Sequence, residues 1–229
     1  DVERSRGLGD VYKRQGLYRN LLMKPNMNIN RGNPMTDTIQ DDIAKHLEIS
    51  SQIKMLAAGQ CAGPAAEAAA VIADSLKKGG KLMLCGNGGS AGDAQHIAAE
   101  FVATLDHRRP RKGLAALALT TDTSFITAYS NDFGYDGIFA RQVETLGRDG
   151  DVLIGISTSG NSGNVVAALE IARDNGITTI ALTGQGGGSM AGMADIAIMV
   201  PSDQTPLIQE THIALGHAIT AGVEKLLGH

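Results

Sequence analysis

No tryptophan occurs among the 229 residues, aromatic side chains of all kinds make up 3%, and lysine plus arginine (20) are outnumbered by aspartate plus glutamate (24). A nucleic-acid surface needs clustered positive charge to meet the phosphate backbone. A chain of formal charge -4 with no Lys/Arg stripe does not offer one, so any anion it binds is small. Cysteine is nearly as scarce. Cys61 and Cys85 stand outside any CxxC or CxxH spacing and are too few for a disulfide framework, so a reducing compartment such as the cytoplasm is the simpler setting. No apolar run approaches the ~18 residues of a membrane span, and no membrane partner is expected. What is plentiful is core material: 43% hydrophobic content over this length fills one good-sized core and predicts a single domain.

Residues 1–34, DVERSRGLGDVYKRQGLYRNLLMKPNMNINRGNP, have no apolar period and are crowded with Arg, Asn, Gly and Pro, which predicts loose order. They also lack the apolar core of a signal peptide. DVYKRQ resembles the in-frame translation of a sequencing-adapter end, so part of this segment is expected to be artefactual, with Met27 or Met35 as the natural start. A genuine flexible arm is the alternative.

From Met35 the pattern becomes regular. Ile39, Ile43 and Leu47 at spacing four predict a first helix, and an Ala-rich second helix is expected from Ala65 to Lys78, closed by Gly79 and Gly80. Five short apolar runs follow: KLMLCG, GLAALAL, DVLIGIS, TTIALT and DIAIMV. Between them lie stretches of helical period such as VVAALEIARDNG, with a glycine where a helix C-cap belongs. Almost uninterrupted apolar strands alternating with helices signal a parallel sheet buried on both faces. The expected fold is therefore a doubly wound, five-stranded parallel α/β domain preceded by N-terminal helices, residues 35–229.

Ligands of such sheets sit beyond the carboxyl ends of the strands, where loops enter helices. Two loops there carry chemistry. STSGNSGN sets Ser157, Thr158, Ser159 and Ser162 around Gly160 at a helix start, so hydroxyls and backbone N–H groups converge as an anion cradle without lysine. An ordinary helix cap would account for one serine, not four hydroxyls in six residues. GNGGSAGD, after the first strand, fits neither GxGxxG nor GxxxxGK[ST], which disfavours NAD or ATP and favours a phosphate monoester such as a sugar phosphate. The helix that GNGGSAGD opens carries His96 and Glu100 at i and i+4, close enough to share a ligand or a proton. Such a pair is usually a solvated surface contact, and only its place at the ligand edge raises its interest. TPLIQETHIALGHAITAGVEKLLGH reads as a final helix with Thr205 as N-cap and Pro206 at its first position. Capped or surface polar groups explain Glu210 and His212 on it. His217, flanked by Leu215, Gly216, Ala218 and Ile219, is less easily explained that way.

Taken together, CGNGGSAGDAQHIAAE, SNDFG, GDVLIGISTSGNSGNVV, ALTGQGGGSMAG and LIQETHIALGH resemble the sugar isomerase (SIS) family in its phosphoheptose isomerase form, over roughly Met35 to His229. The resemblance implies a flavodoxin-like sheet, a homotetramer, and interconversion of sedoheptulose 7-phosphate with D-glycero-D-manno-heptose 7-phosphate in bacterial heptose synthesis. It implies Glu100 and His217 as the acid/base pair, with Ser90, Ser157, Thr158, Ser159 and Ser162 around the phosphate. Asn87 and Asp132 correspond to substrate-contacting positions, Gly88 and Gly89 belong to the same ligand loop, and His96, Glu100, Gln209 and His217 correspond to the zinc ligands of some members. Two departures matter: Thr104 stands where the family often has Arg, and Pro206-Leu207 where it has Asp-Arg. The loop DHRRPRK, with Arg108, Arg109, Arg111 and Lys112, is the alternative source of charge, against a default of a solvated basic loop. Gln209 and His217 lie eight residues apart, ~12 Å along a straight helix, whereas zinc holds its ligands at ~2.0–2.2 Å. The expectation is that the site is completed at a subunit interface, a neighbouring copy presenting its His217. The rival functions are a non-catalytic SIS module acting through a partner protein, another sugar-phosphate isomerase, and a sugar-phosphate-sensing regulator. Retention of Glu100 and His217 argues against the first, and no DNA-binding helix-turn-helix supports the last.

Overall fold

A computed structural model describes residues 34–229, with side chains from residue 38; the expectations for the N-terminal segment, Met27 included, fall outside the described residues. One compact unit spans His46–His229, and the described part of the preceding unit, which ends at Lys45, is helical. Two helices come first among the described residues, α1 (Pro34–Gln60) and α2 (Ala62–Lys77). The second starts three residues before the expected Ala65, because Pro64 falls in its first turn, where a missing N–H costs nothing.

The five apolar runs form β1 (Leu82–Gly86), β2 (Ala116–Ala118), β3 (Val152–Ser157), β4 (Thr178–Gly184) and β5 (Ile196–Val200). All pairings are parallel, in the order β2-β1-β3-β4-β5. Between and after the strands run α3 (Gly89–Val102), α4 (Thr123–Phe133), a 3-10 turn (Tyr135–Gly137), α5 (Ile138–Leu146), α6 (Gly163–Asp174), α7 (Gly188–Met193) and α8 (Thr205–Leu226).

Strand alternation sorts the core into two layers. Leu82, Leu84, Ile154, Ile156, Ile180 and Leu182 point to one face and pack with Ala68 and Ile72 of α2, Ile97 and Phe101 of α3, and Ile219 and Val223 of α8. Met83, Cys85 and Leu153 point to the other, against Phe139 and Val143 of α5, Leu169 of α6 and Met190 of α7. Every residue of β1 and β3 is buried, which is why those runs read as continuously apolar. α6 stops as the sequence predicts, with Asn175 as C-cap and Gly176 next at φ +70. At α8 the expectation is off by one residue: Gln204 is the N-cap, in extended conformation, and Thr205 is already helical. The Ser202 hydroxyl accepts from the Gln204 amide at 3.2 Å and so sets the chain direction one residue earlier.

Candidate active site

Since β1 and β3 are neighbours, with β2 on one side and β4 on the other, the chain leaves these two strands in opposite directions. The crevice this opens at their carboxyl ends is where doubly wound sheets bind ligands. Both loops singled out in the sequence lie here: Asn87 and Gly88 between β1 and α3, Thr158 to Ser162 between β3 and α6.

The second loop is built as a hydroxyl cradle. Ser157 Oγ lies 2.8 Å from Ser162 Oγ and 3.3 Å from Ser159 Oγ. Ser162 occupies the N-cap of α6 yet makes no capping hydrogen bond with its side chain. With its hydroxyl turned toward Ser157, the side chain leaves the Gly163 and Asn164 amides uncapped, while Val165 N reaches the Ser162 carbonyl at 3.0 Å. Gly160 (φ +67) brings this loop against the turn after β4, where a Cβ would collide with the Gly187 carbonyl, and Met190 N donates to Gly160 O at 3.0 Å. Asn161 ties the same two turns, its Oδ1 accepting from Ser189 N at 2.9 Å. Ser90, buried in the first turn of α3, packs against Gly86.

Helices α3 and α8 lie side by side, Gln209 packed on Gly89 and Gly216 on Ile97. That pairing puts His217 beside His96, with Nε2 to Nε2 2.9 Å and the rings edge-on at 5.1 Å. His96 Nε2 is 3.4 Å from Glu100 Oε1, and the ligand atoms of His96, Glu100 and His217 lie within 4.8 Å of one another. Two imidazole nitrogens at that separation either share one proton or face a common cation. Glu100 Oε2 is buried without a hydrogen-bond partner. An orphaned carboxylate oxygen beside two imidazoles is a nitrogen-and-oxygen donor set of the kind zinc accepts.

The chain's own His217 thus meets its own Glu100. The expected delivery of His217 by a neighbouring copy is not needed for this cluster, because α3 rather than Gln209 supplies its other members. Gln209 sits two turns before His217, against Gly89 at the start of α3. Asp132, exposed on the last turn of α4, accepts from Asn131 Nδ2 at 2.8 Å and makes no hydrogen bond to either ligand loop.

Other expectations need correcting. His212 is fully buried, not a surface group. Its Nε2 lies 3.1 Å from the Thr183 carbonyl, so that nitrogen carries the proton, and Nδ1 is buried without a partner. Burial holds its pKa down to about 4, against the opposing pull of the Thr183 carbonyl. The unfolded chain takes up this proton near the ordinary histidine value of ~6.5. Stability from this group is therefore complete above pH ~6.5 and is lost as pH falls toward ~4, by up to about 3 kcal/mol. Urea titrations from pH 7 to pH 4 should show a shallower loss for His212→Gln than for the wild type, and equal slopes would refute the assignment.

Arg111 is not part of a solvated loop either. Its side chain is 2% exposed, pairs with Glu224 at 2.6 Å, and donates to the carbonyls of Glu100, Phe101 and Lys112 at 2.9, 2.9 and 3.0 Å. It closes the end of α3, as cations do at helix C-termini. Arg108, by contrast, stays exposed and pairs with Asp106, whose carboxyl it holds down at about 2. At the two family departures, Thr104 Oγ1 donates to the Arg109 carbonyl at 3.3 Å and Leu207 is a core residue, so neither replaces the missing charge. Asn164 and Tyr135 also went unassigned, although both hydrogen-bond to Asn87. Asn164 closes the STSGNSGN run, and that position was the available signal.

The sequence matches the SIS domain family over residues 49–184. It is 50% identical to a phosphoheptose isomerase of Rhodospirillum rubrum over 169 residues, 74% of this chain and 89% of that protein. It is also 50% identical to that of Akkermansia muciniphila over 191 residues, 83% and 97% of the two chains. Among solved structures, a phosphoheptose isomerase from Neisseria gonorrhoeae superposes with a TM-score of 0.77 at 45% identity, covering 82% of this chain and 99% of that one.

Proposed function

The chain belongs to the SIS domain family, beside the phosphoheptose isomerases, and on that premise we propose that it interconverts sedoheptulose 7-phosphate and D-glycero-D-manno-heptose 7-phosphate for bacterial heptose synthesis. The observation that carries this reading is the meeting of His96, Glu100 and His217 within 4.8 Å, on helices packed at the ligand edge of the sheet.

Moving a carbonyl from C2 to C1 of an open-chain sugar needs a base for the C1 proton, an enediol, and a group that trades protons with the two oxygens. Glu100 Oε2, free of any hydrogen bond, is the base. His217 serves the oxygens, its Nε2 lying 2.9 Å from that of His96. Ser157, Thr158, Ser159 and Ser162, with Ser90, hold the phosphate, while Asn87, Gly88, Gly89 and Asp132 contact the sugar. His96, Glu100 and His217 would hold zinc, with Gln209 the fourth ligand that the family suggests, and a bound zinc ion supplies Lewis acidity toward the carbonyl.

We place the enzyme in the cytoplasm as a homotetramer. In support, Leu47, Met55 and Leu56 of α1 are exposed, and an apolar groove of about 390 Å³ runs between Ala58, Ala62 and Ala66 on one side and Ala214, Leu215 and Ala218 on the other. Among the described residues no single helix is long and apolar enough to cross a membrane.

Conversion of sedoheptulose 7-phosphate by the purified protein tests the function. Binding without turnover would favour the non-catalytic SIS module. Ser159→Ala should raise KM for the sugar phosphate with kcat little changed, since the lost bond exists equally before and during the reaction. If the enzyme bound unphosphorylated sedoheptulose as tightly as its phosphate, the cradle would not be a phosphate site.

A further inference from the structure

Three side chains from three segments meet at the switch point. Asn87 Nδ2 donates to Asn164 Oδ1 at 2.8 Å, and Asn164 Nδ2 donates back to Asn87 Oδ1 at 2.9 Å. The Tyr135 hydroxyl, from the 3-10 turn, donates to the same Asn87 Oδ1 at 2.9 Å. An amide oxygen accepts two hydrogen bonds and its NH₂ group donates two. Asn87 Oδ1 is therefore filled and one N–H is used, which leaves a single N–H on Nδ2. Asn164 Nδ2 likewise keeps one N–H, but Asn164 is 3% exposed whereas Asn87 is half-buried, so the donor that can face the crevice is that of Asn87.

The paired amides have only two consistent arrangements, because turning one over alone would set oxygen on oxygen and NH₂ on NH₂. Both can turn together, and then Asn87 would show an acceptor. Tyr135 decides between them, since a phenol hydroxyl is a better donor than acceptor and selects the arrangement that gives it an oxygen. The clasp also ties the loop after β1 to the helix that carries the phosphate cradle, so the distance between this donor and the cradle is held fixed.

We propose that Asn164 and Tyr135 are positioning residues for the isomerase reaction: together they hold the Asn87 amide so that it turns one N–H, and never its oxygen, toward an oxygen of the sugar phosphate. The proposal rests on the reading of Asn87 as a substrate contact. It assigns Tyr135, an exposed aromatic with no place in the core, a role in substrate recognition.

A double-mutant cycle decides it. Tyr135→Phe and Asn164→Ala should each raise KM roughly 3- to 10-fold, the worth of one oriented hydrogen bond, with kcat changed less. In an Asn87→Ala background neither should have any further effect, because the group they orient is gone. Undiminished effects in that background would show that the two residues act elsewhere and overturn the proposal. Wild-type kinetics for Asn87→Ala would instead remove the substrate contact beneath it, which is a separate failure. If the buried Asn164→Ala variant does not fold, the Tyr135→Phe arm stands alone, since it deletes one exposed hydroxyl and leaves the ring in place. An unchanged KM in that arm would also overturn the proposal.

Discussion

Glu100→Gln should lower kcat by roughly 10²- to 10⁴-fold, the usual worth of a positioned proton-transfer group, and His217→Ala should do the same, while KM moves far less. The substitution at Glu100 keeps the side chain's shape, so a large loss cannot be put down to repacking. It converts an oxygen that is buried and unpartnered in the wild type into a group that cannot take a proton. At His217 the loss has two sources, the proton carrier itself and the 2.9 Å contact with His96. Steady-state kinetics on variants with wild-type melting temperatures make the measurement. Near-wild-type turnover in either variant would remove that residue from the mechanism.

Arg111→Ala should destabilise the fold by about 3–5 kcal/mol, the range for breaking a buried ion pair by deleting one partner. Glu224 would be left with its side chain 17% exposed and its guanidinium partner gone, and the carbonyls of Glu100, Phe101 and Lys112 would each lose the bond from Arg111, Phe101 keeping the one from Leu114 N. Arg111→Lys should recover little, because one ammonium cannot reach four oxygens that a planar guanidinium spans. Urea unfolding would read the change. A loss under about 1 kcal/mol, as for an exposed pair, would show that the loop relaxes around the deletion. Because Arg111 Nη2 holds the carbonyl of Glu100 itself, the folded fraction of the variant should also turn over more slowly.

The strands were legible because burial on both faces leaves an unbroken apolar run, as in β3, where all six residues are buried. The run GLAALAL overstated β2, which is only Ala116–Ala118; at the sheet edge Leu117 is 36% exposed and pairing stops early. Of the candidate site, the spacing of His96 and Glu100 was local and could be read directly. The arrival of His217 was not, since it depends on α3 and α8 meeting through Gly216 and Ile97, a contact between distant parts of the chain. Gln209 and His217 lie two turns apart on α8, and their shared helix gives no sign of α3, which supplies His96 and Glu100. Arg111 was invisible for a related reason: nothing in DHRRPRK separates the one arginine that turns inward from its exposed neighbours, because Glu224 lies 113 residues away.

The backbone contact between Gly160 and the Gly187–Gly188 turn bears on any attempt to redesign substrate preference. A Cβ at Gly160 would run into the Gly187 carbonyl and one at Gly188 into the carbonyl of Gly160, and all three glycines sit at positive φ. Neither turn has a neighbouring sequence it can drift to, singly or as a pair. If this loop holds the phosphate as proposed, that end of the crevice is a fixed anchor in sequence space, and variants that accept longer, shorter or epimeric sugars are to be sought on the α3 and α8 side, where the walls are made of side chains.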